Sequence, residues 1–207
     1  YYDGTVPLTM EEAASNLKQI VRGRLECIDW KTTKPTTHDD VEIIRVHNLG
    51  FTYPDGTLAL DGVDLTIKQG EMLAFIGQNG SGKTTLAKNI AGLLKPTSGS
   101  VLVEGRDTQK LPTSELATKV GYIFQNPDHQ LFNETVSKEI AYGPSNLQLS
   151  QQQIDDRVNE AMKIVGLDDS YRNEHPFFLP KGLRQRVSIA SILALRPSLI
   201  IVDEPTT

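Results

Sequence analysis

The sequence predicts an α/β fold with a mainly parallel core sheet. From residue 41 onward, short runs rich in β-branched residues alternate with helix-like segments. One apolar run leads through a glycine-rich loop into a helix, and another apolar run ends in two acidic residues. Because ligands of parallel sheets bind at the carboxyl ends of the strands, the loop and the acids are expected at the same edge.

Composition limits the classes of protein that the chain can represent. The 207 residues suffice for one domain with a sizeable core, or for one domain plus an appendage. The single cysteine, Cys27, excludes an internal disulfide and is expected to fill apolar space. A net charge of −5 gives no support for binding to nucleic acid. No apolar run approaches the roughly 20 residues that span a bilayer.

The chain divides into two predicted parts, residues 1–40 and residues 41–207. Residues 9–22 have an apolar face and the capping-box pair Thr9 and Glu12, which predicts an amphipathic helix. Residues 29–40 are polar and predict a linker. The helix could dock on this domain or end a preceding one. The first residue is Tyr1, and the last, Thr207, follows directly after a strand-like run. We therefore expect the chain to be part of a longer one.

The elements of the second part follow from apolar periodicity and from turn residues. Alternation predicts strands over residues 41–53 and 59–67, joined by a turn at residues 55–57, and a strand over residues 100–105. Continuous apolar runs predict buried parallel strands at residues 71–77, 120–125 and 199–204. Helices are predicted from Lys83 to about Leu94, from Ser114, from near Glu134, after Ser150 up to Gly166, and from the stretch at 178–183 to near Arg196.

The segment GQNGSGKTT matches the phosphate-loop pattern G-x-x-x-x-G-K-[ST], with a strand before it and a helix after it. Glycines let the backbone approach phosphate oxygens, and the loop N–H groups and the helix N-terminus face the anion. Lys83 is expected to reach the β- and γ-phosphates, and the Thr84 hydroxyl to ligate Mg²⁺. The alternative is a glycine-rich turn without a nucleotide. The predicted nucleotide-binding residues are Gly77, Gln78, Asn79, Gly80, Ser81, Gly82, Lys83, Thr84 and Thr85.

Two carboxylates end the last predicted strand. Asp203 is expected to hold Mg²⁺ through water, and Glu204 to position the water that attacks the γ-phosphate. The alternative is a strand that ends in two solvated acids. Together with the phosphate loop, these residues predict a nucleoside triphosphatase.

Four segments in this order resemble an ATP-binding cassette: GQNGSGKTT, the glutamine of YIFQNP, RQRVSIAS and IIVDEPTT. The resemblance implies a phosphate-loop fold with an antiparallel β subdomain and a helical subdomain, and a second cassette as partner. It also implies that Tyr53 stacks on adenine and that Gln125 contacts Mg²⁺ and the attacking water. The alternatives are a tyrosine at a strand edge and a glutamine at the surface.

The segment QNPDHQLFNETVSKEIAYGP closely resembles cassettes of energy-coupling-factor importers. The resemblance implies that Asp128, His129, Gln130 and Phe132 lie near a groove for the coupling helix of a membrane subunit, at the cytoplasmic face of the membrane. Alternatively, Leu131 and Phe132 pack under the following helix. The two cassettes of such an importer can also be fused, in which case residues 9–22 would end a first cassette.

Residues 179–183, LPKGL, depart from the family's usual LSGGQ, which faces the γ-phosphate held by the opposing cassette. Pro180 replaces serine, Lys181 replaces glycine and Leu183 replaces glutamine, whereas Gly182 is kept. The resemblance therefore implies a pair in which the site completed by this stretch is weakened. The alternative is that the stretch now serves only to start a helix.

The function expected from the resemblance is ATP hydrolysis that powers transport across a membrane. One alternative is a soluble cassette of translation or repair, which the net charge does not favour. The other is a nucleotide-binding scaffold that does not hydrolyse ATP, against which Glu204 argues. The family's switch histidine and aspartate loop lie after the acidic strand, outside this sequence. Hydrolysis by residues 1–207 alone is therefore left open.

Overall fold

A computed structural model of the chain describes residues 41–203. The strands are β1 (Glu42–Thr52), β2 (Leu58–Lys68), β3 (Ser98–Val103), β4 (Arg106–Asp107), β5 (Val120–Ile123) and β6 (Leu199–Val202). The helices are α1 (Lys83–Ile90), α2 (Thr113–Lys119), α3 (Val136–Ser145), α4 (Gln151–Ile164) and α5 (Lys181–Leu193). The helix predicted over residues 9–22 and the linker at 29–40 lie outside the described residues.

An antiparallel sheet carries the first part of the domain. Its strand order is β2-β1-β3-β4, so the long central strand β1 pairs antiparallel with β2 on one side and with β3 on the other. Ile44, Val46 and Leu49 of β1 are almost fully buried, and they join α1 in one hydrophobic core. The strands predicted for this region are confirmed, including the turn between β1 and β2.

A second sheet pairs β5 and β6 in parallel, with Tyr122 opposite Ile201. All four residues of β5 are buried, as predicted. Strand β6 is buried only in part, because Ile200 and Val202 are 39% and 45% exposed. The two strands bring the ends of β5 and β6 to one edge.

The prediction of a buried parallel strand at residues 71–77 is wrong for the described structure. These residues form no strand pairing with any element between residues 41 and 203, and Met72 and Ile76 are 97% and 95% exposed. A parallel strand is held by hydrogen bonds to its neighbours. The apolar run predicts burial, but no strand within the described range forms those hydrogen bonds with it.

Three helices enclose a second core. Apolar side chains of α3, α4 and α5 pack together, among them Val136, Ile140, Val158 and Val187. Helix α4 begins with a full capping box, in which the Ser150 hydroxyl accepts a hydrogen bond from the backbone N–H of Gln153. The predicted cap is thus confirmed, and the helices after β5 form a unit beside the sheets.

Two helices end earlier than predicted. Helix α1 ends at Ile90 rather than near Leu94, because the chain turns through Gly92 with a φ of +69°. Helix α5 ends at Leu193 rather than near Arg196, which itself has a φ of +56°. Among residues 41–203, no helix has the length and hydropathy that crossing a membrane requires.

Candidate functional site

The phosphate loop lies between residues 77 and 82, and α1 begins directly after it at Lys83. The loop residues Gly77 to Ser81 are exposed, whereas most helix residues from Thr85 onward are buried. The Lys83 ammonium donates to the carbonyl oxygens of Gly77 and Gln78 over 2.9 and 2.7 Å. It therefore lies across the loop, and its contact with phosphate stays a prediction.

Gly82 is required by the loop's close approach to β2. Its φ is +88°, and a Cβ added there would lie 2.7 Å from the Ala59 carbonyl oxygen and 3.0 Å from Leu60 Cδ2. Any other residue would meet both a strained backbone and a clash. The glycine of the motif thus serves the fold itself, because it seats the start of α1 against β2.

The structure joins the phosphate loop to the acidic strand. Thr84 Oγ1 donates a hydrogen bond of 3.1 Å to Asp203 Oδ1, although the two residues are 119 positions apart in the sequence. The backbone N–H of Asp203 donates to the Ile123 carbonyl oxygen over 3.1 Å, which fixes the end of β6 against β5. A hydroxyl and a carboxylate side by side offer hard oxygen ligands, so the two residues fit a Mg²⁺ ion.

The sequence reasoning missed Tyr122, which completes this group. Tyr122 is 6% exposed, and its hydroxyl donates a hydrogen bond of 2.8 Å to Asp203 Oδ2. Burial, together with this hydrogen bond to a carboxylate, raises the pKa of Tyr122. The hydroxyl therefore remains a donor at neutral pH. Because Tyr122 lies within an apolar run, the sequence signals only that it is buried.

Tyr53, the predicted adenine-stacking residue, lies beside the start of α1. Its hydroxyl is 3.0 Å from Thr85 Oγ1, and its ring meets Phe51 edge to face with centroids 4.9 Å apart. The side chain is half-buried against the sheet core. Stacking on adenine stays a prediction, for which this position next to the phosphate loop is suitable.

Gln125 and Glu204 are the two predicted residues that act on the attacking water. Gln125 lies two positions after the end of β5 and is exposed. It therefore follows the strand that carries Tyr122. Glu204 lies outside the described residues, so its role stays a prediction.

A cleft of about 490 Å³ borders the phosphate loop. Its lining includes Leu60 and Val63 from β2, Phe75 and Ile76 from the segment before the loop, and Lys83. The lining combines these apolar side chains with the loop residues Gly77, Ser81 and Gly82. The cleft thus places an open space directly beside the predicted phosphate-binding groups.

The segment after Gln125 is attached to α5. Arg184 Nε lies 2.8 Å from Asp128 Oδ1 in an ion pair. The Gln130 amide donates to the Ser188 carbonyl oxygen and to Ser191 Oγ, each over 3.0 Å, and its oxygen accepts from Ser188 Oγ over 2.9 Å. Of the four residues predicted to lie near the coupling-helix groove, Asp128 and Gln130 therefore bind within the domain.

The other two residues of that set face outward. His129 is exposed, and Phe132 is 62% exposed with its ring edge to face with Tyr142, centroids 4.8 Å apart. The buried carboxylate of Glu139 accepts from the backbone N–H groups of Phe132 and Asn133 over 2.9 and 2.7 Å. Leu131 is buried, as the alternative reading expected, but Phe132 is not.

The LPKGL stretch forms the start of α5. Pro180 occupies the N-cap position, where no side chain accepts a hydrogen bond, and Lys181 is the first helical residue. Pro180, Lys181 and Gly182 are exposed, whereas Leu179 is buried. Pro180 and Lys181 thus form an exposed helix start, whereas Leu183 is half-buried against the second core.

Residues 60–207 match the family model described as ABC transporter. A putative ABC transporter ATP-binding protein of Caldanaerobacter subterraneus is 47% identical over 207 residues, 98% of this chain and 36% of that protein. The energy-coupling factor transporter ATP-binding protein EcfA2 of Clostridium tetani is 47% identical over 170 residues, 79% of this chain and 59% of that protein. The chain therefore spans about a third to three-fifths of the length of these relatives.

Solved structures agree with these matches. The structure of cbiO1 from Clostridium perfringens, part of the ABC transporter complex cbiONQ, has a TM-score of 0.71 and 37% identity, covering 81% of this chain and 67% of that chain. A dimeric ATP-binding cassette in a post-hydrolysis state with ADP and Pi has a TM-score of 0.71 and 32% identity, covering 79% and 74%. The predicted fold class is thereby confirmed, and the chain belongs to the ABC transporter family.

Proposed function

We propose that this chain is part of an ATP-hydrolysing subunit that powers transport across a membrane. The observation that carries the proposal is the 3.1 Å hydrogen bond between Thr84 and Asp203, which joins the phosphate loop to the acidic strand. ATP binds with its phosphates on the loop backbone and Lys83. Glu204 positions the attacking water, and Gln125 contacts that water and the metal.

Magnesium is the cofactor that these residues would hold. The Thr84 hydroxyl would ligate it directly, and Asp203 would hold it through water. When bound, the ion neutralises charge that develops on the phosphates. The residues of this chain orient the nucleotide around it, with the Tyr53 ring on the adenine.

The partner that we propose is an integral membrane subunit of an energy-coupling-factor type importer. His129 and Phe132 would contact it, because both are exposed and the Phe132 ring packs edge to face with Tyr142. Asp128 and Gln130 would hold this segment in place through α5. The names of the EcfA2 and cbiO1 relatives support this class of partner.

A second cassette, in the same chain or in another, would complete the ATP sites. The relative solved as a dimer supports such a pair. The subunit would lie peripherally at the cytoplasmic face of the membrane, where its partner presents the coupling helix. The net charge of −5 gives no support for a nucleic-acid partner.

Calorimetry of ATP binding tests the proposal. Lys83→Ala removes a charged contact to phosphate and should cost about 2 kcal/mol, or roughly thirtyfold in affinity. Lys88→Ala on the same helix is the matched control and should bind as the parent does. Equal affinity of Lys83→Ala and the parent would refute the phosphate site. A protein that binds ATP but never co-purifies with a membrane subunit would refute the transport role.

A further inference from the structure

Tyr122 is a buried polar residue to which neither the motifs nor the relatives assign a role. Its ring lies in β5, edge to face with Phe124 at a centroid distance of 4.9 Å. The strands are in register with Tyr122 opposite Ile201, and the hydroxyl reaches past the end of β6 to Asp203. A phenylalanine would fill the same apolar space. Packing therefore explains the ring of Tyr122 but not its hydroxyl.

The Asp203 carboxylate has a different donor on each oxygen. Thr84 donates to Oδ1 over 3.1 Å, and Tyr122 donates to Oδ2 over 2.8 Å. Rotation about the last side-chain bond of an aspartate is soft, so one hydrogen bond leaves the carboxylate plane poorly fixed. Two bonds on opposite oxygens fix the plane. The backbone bond from Asp203 to Ile123 holds the base of the same side chain.

The chemical type of the second donor suits a metal site. An arginine or lysine at this position would compensate the negative charge that attracts a cation. A phenol supplies a strong hydrogen bond and leaves the charge on Asp203 in place. Groups that hydrogen-bond to a metal-binding carboxylate orient it and tune its affinity for the metal.

We propose that Tyr122 is a positioning residue for magnesium: its hydroxyl holds Asp203 Oδ2 so that the carboxylate stays aligned with the Thr84 hydroxyl. The role rests on the proposed Mg²⁺ site. Tyr122 itself contacts neither the metal nor the nucleotide. It acts through Asp203, so its removal should change the dependence of nucleotide binding on metal and leave binding to the phosphate loop unchanged.

The experiment compares nucleotide affinity with Mg²⁺ and with EDTA in the full-length protein. The ratio of the two affinities measures the contribution of the metal. The effect of a partly unfolded fraction is the same in both measurements and cancels in the ratio. Tyr122→Phe should lower this ratio by about tenfold. The nucleotide affinity of Tyr122→Phe in EDTA should stay within about twofold of the parental value. Lys83→Ala, in contrast, should weaken nucleotide binding itself. Tyr171→Phe, a half-buried tyrosine in the second core, is the matched control and should keep the parental ratio.

A second readout follows the metal itself. Mn²⁺ bound with ADP gives an electron paramagnetic resonance signal, and its release should require less EDTA in Tyr122→Phe than in the parent. A parental ratio in Tyr122→Phe would overturn the proposal, and so would an equal loss in Tyr171→Phe. A parent whose affinity does not change with Mg²⁺ would overturn both the magnesium site and the role of Tyr122. A parent that binds no ATP under either condition would instead refute the phosphate site.

Discussion

Arg184 joins the segment after Gln125 to the start of α5. Its Nε lies 2.8 Å from Asp128 Oδ1, and its Nη1 donates to the Leu179 carbonyl oxygen over 2.9 Å. Leu179 opens the LPKGL stretch, and Asp128 lies in the segment that follows Gln125. One side chain therefore connects the surface proposed to face the membrane subunit with the stretch proposed to face the opposing nucleotide.

A double-mutant cycle on Asp128→Ala and Arg184→Ala tests this connection. Both side chains are partly solvated, so the coupling energy should be about 0.5–1 kcal/mol in urea unfolding. Arg184→Ala alone should cost more than Asp128→Ala, because it also removes the bond to Leu179. Additive effects of the two changes would show that the ion pair contributes nothing to stability.

The motif residues were predictable because their roles are local or depend on strand ends. An apolar run, a glycine-rich loop and a helix in sequence indicate where Lys83 and Thr84 lie, and Asp203 follows a strand that ends near the loop. Tyr122 and Arg184 were not predictable in this way. Their contacts depend on the register of β5 with β6 and on how α5 packs, neither of which leaves a periodic signal. The run at residues 71–77 predicts burial but cannot reveal whether a strand lies beside it.

Glu104 makes stability depend on pH. Hydrogen bonds from Lys119 and Ser198 hold the pKa of the Glu104 carboxyl below its usual range. Since the folded-state pKa is depressed, the carboxylate stabilises the fold above its ordinary pKa, and this contribution is lost as the pH falls through the folded-state value. Glu104→Gln should therefore lower the free energy of unfolding by about 1 kcal/mol at pH 7, and by less in acid.

Urea unfolding at neutral and acidic pH measures that difference. The control is Glu174→Gln, because Glu174 is exposed on the surface between α4 and α5. At both pH values, the unfolding curve of Glu174→Gln should lie close to that of the parent. A loss for Glu104→Gln that is the same at both pH values would contradict the role of its charge.

A substitution at Gly182 can test ligand approach without a loss of stability. It is the second residue of α5, it is exposed, and a Cβ added there would meet nothing within 4 Å. Gly182→Ala should therefore leave stability unchanged or raise it by about 0.5–1 kcal/mol. If the opposing nucleotide approaches this backbone, hydrolysis by the assembled pair should fall.

The comparison variant is Gly105→Ala, which also meets open space but has a φ of +76°. It should lose stability, since alanine is strained there. Normal hydrolysis by Gly182→Ala in the assembled transporter would show that nothing approaches the start of α5.

Glu204→Gln should retain ATP–Mg²⁺ binding and lower turnover by roughly a hundredfold, the scale of lost base catalysis. Asp203→Asn is the informative contrast, because it should weaken the Mg²⁺ dependence of binding. Both are measured in the assembled transporter, as steady-state phosphate release and as nucleotide affinity. A parental rate for Glu204→Gln would remove this residue from the proposed mechanism.

Restoring the usual residues in the LPKGL stretch tests whether it weakens the opposing site. Pro180 caps α5 without a side-chain hydrogen bond, and Lys181 is exposed where a glycine would let a phosphate approach. Changing Pro180, Lys181 and Leu183 to Ser, Gly and Gln restores a hydroxyl donor, a small residue and an amide. One neutral donor is worth about 1 kcal/mol, so the rate should rise several-fold.

The measurement is single-turnover hydrolysis in the assembled dimer, with Lys83→Ala in this subunit so that only the opposing site reacts. Saturating nucleotide ensures that the measured rate does not reflect weaker binding. The serine cap by itself should raise the free energy of unfolding by about 1 kcal/mol, and unfolding curves measure that effect separately. If the Lys181 side chain obstructs the phosphate sterically, Lys181→Gly alone should supply most of the gain. The N-terminus of α5 attracts the phosphate in either variant. If the rate stays the same or falls in both variants, LPKGL is an adapted working form in which Lys181 replaces the lost donors with a charge.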